Sequence, residues 1–321
     1  MRTLNFIILL LFSFLFSCKK ETFVGPPIES YFGNLTISES FSHNKPVGVD
    51  FSSGDTLKFS AEFSIQAEFN INIVGRTSGA NFNINQTSQN LENTFWLGES
   101  NTIFFKQYEW CDITLSFNGH DTILTDSVLI LGVQDFSLMG ELLTSFEDPS
   151  EYNVVNGSST VTNNIISNVN LSVHGTNFLE IKGEGQGTYF GATRFQFNNG
   201  TIAEPEASDI YFNGFFNSSY SGSAVVVKFF EDHNNNNQYD AGVDEAWSFK
   251  QSLSDDNLWH KLSFNLSDFA VDISGNNVLV DGVINTNNII RIDVICSQQG
   301  TAFGEYGFFA DYYLLTYNEP L

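Results

Sequence analysis

Strict alternation of apolar and polar residues is the main pattern of the chain. In residues 56–65 every second side chain is apolar, which is the pattern of a strand with one buried side. The apolar face of this segment consists of Leu57, Phe59, Ala61, Phe63 and Ile65. The same period returns in residues 111–117 and 259–266, and no window has the spacing of three and four that is typical of an amphipathic helix. The pattern therefore predicts an all-β protein.

The predicted strands divide into two groups, with a boundary near residues 134–140. The first group, residues 31–136, has the size and strand spacing of an immunoglobulin-like β-sandwich, and nothing in it is typical of a catalytic site. The second group, residues 137–321, contains the strongest predicted strand, at residues 223–230. We predict two tandem β-sandwich domains, of which the first is a spacer and the second carries the function.

The first eighteen residues have a different pattern. One positive charge is followed by an apolar run at residues 6–12 and by the ending Leu15-Phe16-Ser17-Cys18. The run is shorter than the roughly 20 apolar residues that cross a bilayer, so the segment is typical of a secretory signal. The ending resembles the lipobox of bacterial lipoproteins, in which the cysteine is acylated. That resemblance implies a signal peptide at 1–17, a lipid anchor at Cys18 and a linker at 18–30; the alternative is a plain secretory signal.

The residues after the predicted cleavage point bear on location. Cys18-Lys19-Lys20-Glu21 resembles the export tags that send lipoproteins to the outer face of the outer membrane in the Bacteroidota. The resemblance implies a protein that is lipid-anchored in the outer membrane, at the cell surface rather than on the periplasmic face. Other outer-membrane proteins are then candidate partners.

Composition narrows the classes of partner. The chain has 13 Lys and Arg against 37 Asp and Glu, and its formal net charge is −24. Because phosphate contacts need clustered Lys and Arg, the sequence argues against nucleic acid as a partner. An acidic surface favours solubility outside the cell or binding of divalent cations. Cys111 and Cys296 fall in different strand groups, and either stay as buried thiols or pair in an oxidising compartment.

Four segments of the second group resemble the galactose-binding-like jelly rolls of many carbohydrate-binding modules. They are Phe146-Glu147, residues 174–179, residues 259–269 and residues 308–314. In that family an acidic residue after the first aromatic and the aspartate of the last strand often hold a structural calcium ion. The resemblance therefore implies calcium ligands at Glu147 and Asp311. The alternative is a surface carboxylate and a turn cap.

A second acidic segment, residues 231–245, directly follows the strongest predicted strand. Its side-chain oxygens recur at alternate positions, and this spacing lets one loop surround a calcium ion. The pattern resembles EF-hand-like loops carried on β-hairpins, with Asn237 at the position of the turn glycine and Val243 at the twelfth position. A solvated polar hairpin is the alternative. The predicted ligands are Asp232, Asn234, Asn236, Gln238 and Asp240, with Asp244 or Glu245 closing the shell.

No motif of known catalytic chemistry appears. The five histidines form no HExxH pair, and the chain has no GxSxG elbow. Aromatic and hydrogen-bonding residues beside Gly- and Ser-rich turns favour sugar recognition instead. We predict a non-catalytic protein that binds carbohydrate through a calcium-stabilised jelly roll; the alternatives are an envelope adhesion or structural protein that binds another protein, and a glycoside hydrolase or lyase. The predicted ligand-binding residues are Tyr189, Arg194, Tyr220 and Trp247.

Overall fold

The computed structural model describes residues 34–157, 160–186, 189–202 and 206–321. The predicted signal peptide, the lipidation site Cys18 and the linker 18–30 lie outside these residues. Within them the protein is all-β, as predicted, with short 3-10 helices at Phe51–Ser53, Phe136–Met139, Ala207–Asp209, Leu266–Asp268 and Thr286–Asn288. In this part of the chain no helix has the length and apolarity needed to cross a membrane.

Seven strands form the first strand group. They are β1 (Ile37–His43), β2 (Val49–Asp50), β3 (Leu57–Gly75), β4 (Asn81–Asn90), β5 (Phe95–Trp96), β6 (Trp110–Phe117) and β7 (His120–Gly132). The strand order is β1-β3-β6-β7-β2, and β4 and β5 also pair with β3. Since β3 is 19 residues long, its first half pairs with β1 and its second half with β6. Its alternation buries Leu57, Phe59 and Phe63 in one core.

Twelve strands form the second strand group. They are β8 (Gly140–Thr144), β9 (Asn153–Asn156), β10 (Thr162–Ser167), β11 (Asn177–Gly185), β12 (Gly191–Gln196), β13 (Ile210–Asn217), β14 (Ser223–Glu231), β15 (Ala246–Ser252), β16 (His260–Asn265), β17 (Ala270–Val271), β18 (Ile289–Gln298) and β19 (Gly304–Tyr317). The front sheet has the order β10-β11-β19-β13-β16, with β8 beside β19, and the back sheet has the order β17-β15-β14-β18-β12-β9. All pairs in both sheets are antiparallel.

The core of the second group lies between these two sheets. Phe212 and Tyr313 of the front sheet belong to the same buried cluster as Phe229 and Ile292 of the back sheet. Two antiparallel sheets that enclose one apolar core form a β-sandwich. Cys296 is buried in this core and Cys111 in that of the first group, and both thiols are free.

The first strand group packs against the outer face of the front sheet. Phe104 contacts Phe215 and Tyr312 edge-on, with ring centroids 4.8 and 5.0 Å apart. These three rings belong to a buried cluster that also contains Val173 and Leu314. The first strand group thus covers the front sheet around Phe215 and Tyr312, whereas a cavity of about 460 Å³ lined by Phe178, Trp259 and Phe309 lies beside this contact.

Candidate functional site

The outer face of the back sheet carries charged side chains on adjacent strands. Strand alternation directs Phe195 of β12 and Ile292 of β18 into the core, and their neighbours Arg194 and Asp293 outward. The Arg194 guanidinium donates from Nε to Asp293 Oδ1 at 2.8 Å and from Nη2 to Oδ2 at 2.9 Å. This two-pronged bond raises the pKa of Arg194, while 27% of its side chain stays exposed. Arg194 is therefore held in one orientation and can still donate to a ligand.

Aromatic rings lie beside this ion pair. The Arg291 guanidinium lies 3.5 Å from the ring centroid of Phe230 and 5.2 Å from that of Tyr239. Burial lowers the pKa of Arg291, because a desolvated cation is less stable than a hydrated one. Tyr189 is 39% exposed and close enough to Arg194 and Arg291 for both charges to act on its hydroxyl. An exposed ring thus lies next to fixed donors.

A polar pocket of about 680 Å³ opens at the same side of the back sheet. Its walls come from the end of β12, the start of β18 and the segment after β14. The lining residues are Gln196, Phe197, Asn198, Thr201, Asn237, Gln238, Tyr239, Ile290 and Arg291. Because Asn237, Gln238 and Tyr239 belong to the predicted calcium loop, the conformation of that loop sets one wall of the pocket.

The four predicted ligand-binding residues have different surroundings. Tyr189 and Arg194 lie together at the back sheet. Tyr220 lies in the turn between β13 and β14, where it interacts with Lys182 of the front sheet. Trp247 is only 5% exposed and packs in the core, so its prediction as a sugar platform is wrong: its position on β15 faces inward. A single sequence does not show which residues of neighbouring strands pair with each other, so Arg291 and Asp293 were not predicted.

The segment 231–245, called the hairpin below, has two sides. The side called outer here is the one to which Asp232 and Asp244 turn. Their carboxylates are fully buried and accept backbone N–H groups of the same segment. Asp232 Oδ2 accepts from Asn237 at 2.6 Å, and Asp244 accepts from His233 at 2.9 Å and from Asp240 at 2.7 Å. Asn237 has a φ of 60°, the left-handed conformation expected for this turn position. These bonds fix the loop.

Three further predicted calcium ligands converge at the tip of the hairpin. The Nδ2 atoms of Asn234 and Asn236 donate to Asp240 Oδ2 at 2.9 and 2.7 Å, and both bonds lower the pKa of Asp240. A half-turn of an amide exchanges its oxygen and nitrogen, so the two Asn side chains can also present oxygens at this point. Gln238 is exposed and donates its backbone N–H to Asn236 Oδ1 at 2.8 Å. The tip therefore brings one carboxylate and two amides together, with the amide NH2 groups toward Asp240 and the amide oxygens accepting the backbone N–H groups of Asn236 and Gln238.

On the other side of the hairpin, Glu231, His233 and Glu245 form a buried group, called the inner cluster below. The backbone N–H of Glu231 donates to the carbonyl of Glu245 at 3.0 Å, which makes the two residues cross-strand neighbours. His233 Nε2 lies 3.3 Å from Glu231 Oε2 and 3.4 Å from Glu245 Oε2. The side chain of Glu245 thus points to the inner cluster, away from the side chain of Asp244 and from the tip of the hairpin. Sequence reasoning missed Glu231 and His233, although a spacing of two places their side chains on the same side of a strand.

Glu147 and Asp311 lie at the junction where β8 and β11 both meet β19. Glu147 accepts from the backbone N–H groups of Thr176 and Asn177, at 2.7 Å each, and from their side chains. Asp311 Oδ2 accepts from the N–H groups of Val173 at 2.7 Å and His174 at 3.0 Å, whereas Oδ1 has no partner. Burial, together with the charge of Glu147, raises the pKa of Asp311.

Comparison with known proteins found similarity only among solved structures. No family model matches the chain, and no curated protein matches it. A family 11 carbohydrate-binding module from Clostridium thermocellum, in complex with a β-1,3-1,4-mixed-linked tetrasaccharide, is 18% identical with a TM-score of 0.40, over 55% of this chain and 94% of that one.

Two other carbohydrate-binding modules show the same kind of similarity. A module of the β-sandwich superfamily, described for its promiscuous specificity, is 13% identical over 88% of this chain and 97% of that one, with a TM-score of 0.38. A xylan-binding domain from Paenibacillus barcinonensis is 13% identical over 56% of this chain and 96% of that one, with a TM-score of 0.33. The function proposed below rests on this chain's own residues.

Proposed function

We propose that this protein binds carbohydrate, without catalysis, on the outer face of the back sheet. The observation that carries the proposal is the exposed ring of Tyr189 beside the fixed Arg194–Asp293 pair and the neighbouring polar pocket of about 680 Å³. A sugar ring has an apolar face, which stacks on aromatic rings, and hydroxyl groups at its edge. Tyr189 would take the apolar face, and Arg194, Arg291 and Gln196 would bind hydroxyls.

The proposal includes a calcium ion at the tip of the hairpin, held by Asp232, Asn234, Asn236, Asp240 and the backbone of Gln238. Supporting it are the convergence of Asn234 and Asn236 on Asp240 and the left-handed turn at Asn237. Calcium would stiffen the loop, and the loop is a wall of the pocket. Sugar binding would then depend on calcium although the sugar does not contact the ion. Calcium at Glu147 and Asp311 stays a prediction.

The location that fits this function is the cell envelope. We propose that Cys18 carries the lipid anchor in the outer membrane and that the back sheet faces the outside of the cell. The first strand group packs against part of the front sheet, an arrangement that a spacer between an anchor and a binding face on the back sheet would have. Long polysaccharides fit such a surface better than small sugars do, because an open sheet face can contact several residues of one chain.

A binding screen tests the proposal. The purified protein, in calcium, is run by affinity electrophoresis through gels that contain one soluble polysaccharide each. We expect retardation by at least one polysaccharide, and Tyr189→Ala should weaken the affinity about two- to tenfold, because an aromatic contact contributes about 0.5–1.5 kcal/mol.

Tyr220→Ala is the matched control, since Tyr220 lies in a similar turn but interacts with the front sheet. It should bind as the unmodified protein does. Retardation by no polysaccharide in a broad panel would contradict the function, and equal losses in both variants would contradict the site.

A further inference from the structure

The inner cluster has two buried polar atoms without partners. Glu231 and Glu245 are fully buried and the His233 side chain is 15% exposed, so the group is nearly closed to water. Glu231 Oε2 and His233 Nε2 make no hydrogen bond of normal geometry, although they face each other, and the indole N–H of Trp247, which also lacks a normal partner, acts on Glu231. Since a buried polar group without a partner destabilises the folded state, a protein rarely keeps two together without a reason.

An ion pair does not explain this geometry. Charge-assisted N–H···O bonds are about 2.7–2.9 Å long. His233 Nε2 is 3.3 Å from one carboxylate and 3.4 Å from the other, too far and too evenly placed for a proton donated to either. The three atoms lie within 4.8 Å of one another. They surround a common point instead of bonding in pairs.

The remaining oxygens of the two carboxylates are already fixed. Glu231 Oε1 accepts the backbone N–H of Asn285 at 2.8 Å, and Glu245 Oε1 accepts those of Val280 at 2.8 Å and Gly282 at 3.1 Å. The segment between β17 and β18 thus holds both Oε1 atoms and leaves each Oε2 facing His233, with the N–H of Gly282 also 3.4 Å from Glu245 Oε2. Hydrogen bonds of this kind orient the ligands of protein metal sites.

Charge also favours a cation at this point. Two carboxyl groups lie together here in a space almost without water, and burying carboxylate charge without a counter-ion is costly. Lys or Arg is not among the groups that act on Glu231; those that act on it include the negative Glu245 and Asp281. A divalent ion would neutralise the group.

We propose that the inner cluster binds a zinc-class divalent ion through Glu231 Oε2, His233 Nε2 and Glu245 Oε2. Imidazole nitrogen suits zinc and similar transition ions, whereas calcium and magnesium take oxygen ligands. Zinc bonds to nitrogen and oxygen are about 2.0–2.2 Å long, and the corners of a tetrahedron with such bonds are about 3.3–3.6 Å apart. The observed separations of 3.3 and 3.4 Å match these edges. Water takes the fourth position.

This zinc site and the proposed calcium loop use opposite sides of the same hairpin. Asp232 and Asp244 turn to the outer side, whereas their neighbours Glu231 and Glu245 turn to the inner cluster. One hairpin would therefore hold a hard ion at its tip and a zinc-class ion at its base. The inference does not rest on carbohydrate binding.

Metal binding tests the inference directly. The purified protein is stripped with chelator and dialysed, and then titrated with zinc by calorimetry and, separately, with cobalt. We expect one zinc ion per chain and, with cobalt, the intense visible absorption of a tetrahedral site. His233→Gln and Glu231→Gln should each lower zinc affinity by at least the roughly 10–100-fold that loss of an outer ligand contact costs.

Two controls separate this site from others. His260→Gln removes an exposed histidine whose Nε2 contacts only Asp256, at 2.9 Å, and should leave zinc binding unchanged. Asp240→Ala should leave zinc binding unchanged while it removes the calcium response. If His233→Gln fails to fold, as judged by circular dichroism, Glu245→Gln replaces it. Absence of zinc binding, equal zinc affinity in the inner-cluster variants, or an octahedral cobalt spectrum would overturn the inference.

Discussion

Two acidic regions of the second strand group, the hairpin and the junction of Glu147 with Asp311, use their carboxylates differently. At the junction, four donors from Thr176 and Asn177 satisfy Glu147, and Asp311 keeps one oxygen without a partner. In the hairpin, several side chains converge at the tip, and the inner cluster leaves atoms of two residues unpaired. The number of unpaired oxygens does not separate the two regions, because each leaves one; the difference is that in the inner cluster a histidine nitrogen faces two carboxylates, at 3.3 and 3.4 Å.

The junction carboxylate should contribute most to stability. Asp311→Ala leaves the buried N–H groups of Val173 and His174 without acceptors, and each costs about 1–3 kcal/mol, so we expect a loss of about 2–6 kcal/mol. Urea unfolding measures this loss. Asp311→Asn keeps an acceptor oxygen and should lose less than half as much. If both variants lose the same free energy of unfolding, the charge of Asp311 stabilises the junction and its role as an acceptor does not. The contrast with the hairpin would then be wrong.

The inner cluster should make the metal-free protein less stable as pH rises. Burial, together with the charges of Glu245 and Asp281, raises the pKa of Glu231 to about 8, against about 4.3 in an unfolded chain. Between these values the folded state holds a proton that the unfolded state has lost, so the free energy of unfolding falls with pH, by on the order of 5 kcal/mol, until about pH 8.

Glu231→Gln isolates this contribution. Asp311 also has a raised pKa and acts in the same direction in both proteins, so the difference between their pH slopes belongs to Glu231. Urea unfolding in chelator between pH 5 and pH 8 gives the two slopes. Parallel slopes would mean that Glu231 titrates normally in the folded protein.

Calcium should stabilise the folded protein by binding at the tip of the hairpin. Adding calcium alone to metal-free protein should raise the free energy of unfolding by about 2.7 kcal/mol at a hundredfold excess over the Kd. Asp240→Ala should lose this response, since Asp240 is where Asn234 and Asn236 converge. Thermal melts with and without calcium measure it. A response that survives in Asp240→Ala but disappears in Asp311→Asn would move the calcium site to the junction.

Much of the fold is readable from the sequence. The alternation of Leu57, Phe59 and Phe63 predicts β3 and its buried face, because a period of two has one structural interpretation. The left-handed turn at Asn237 is also predictable, since asparagine tolerates that conformation.

The site is only partly readable, because it depends on which strands are neighbours. Arg194 comes from β12 and Asp293 from β18, and a single sequence does not give their register. Trp247 shows the opposite error: an aromatic residue near a predicted site lies in the core because its strand position faces inward. Glu245 and Asp244 are adjacent in sequence yet serve opposite sides of the hairpin.

The most direct test is a binding isotherm for the polysaccharide that retards the protein most, measured in calcium and in chelator for the unmodified protein and for Tyr189→Ala. We expect binding in calcium that Tyr189→Ala weakens about two- to tenfold, and weaker binding of the unmodified protein in chelator. An isotherm that neither Tyr189→Ala nor removal of calcium changes would contradict a sugar site on the back sheet beside the hairpin.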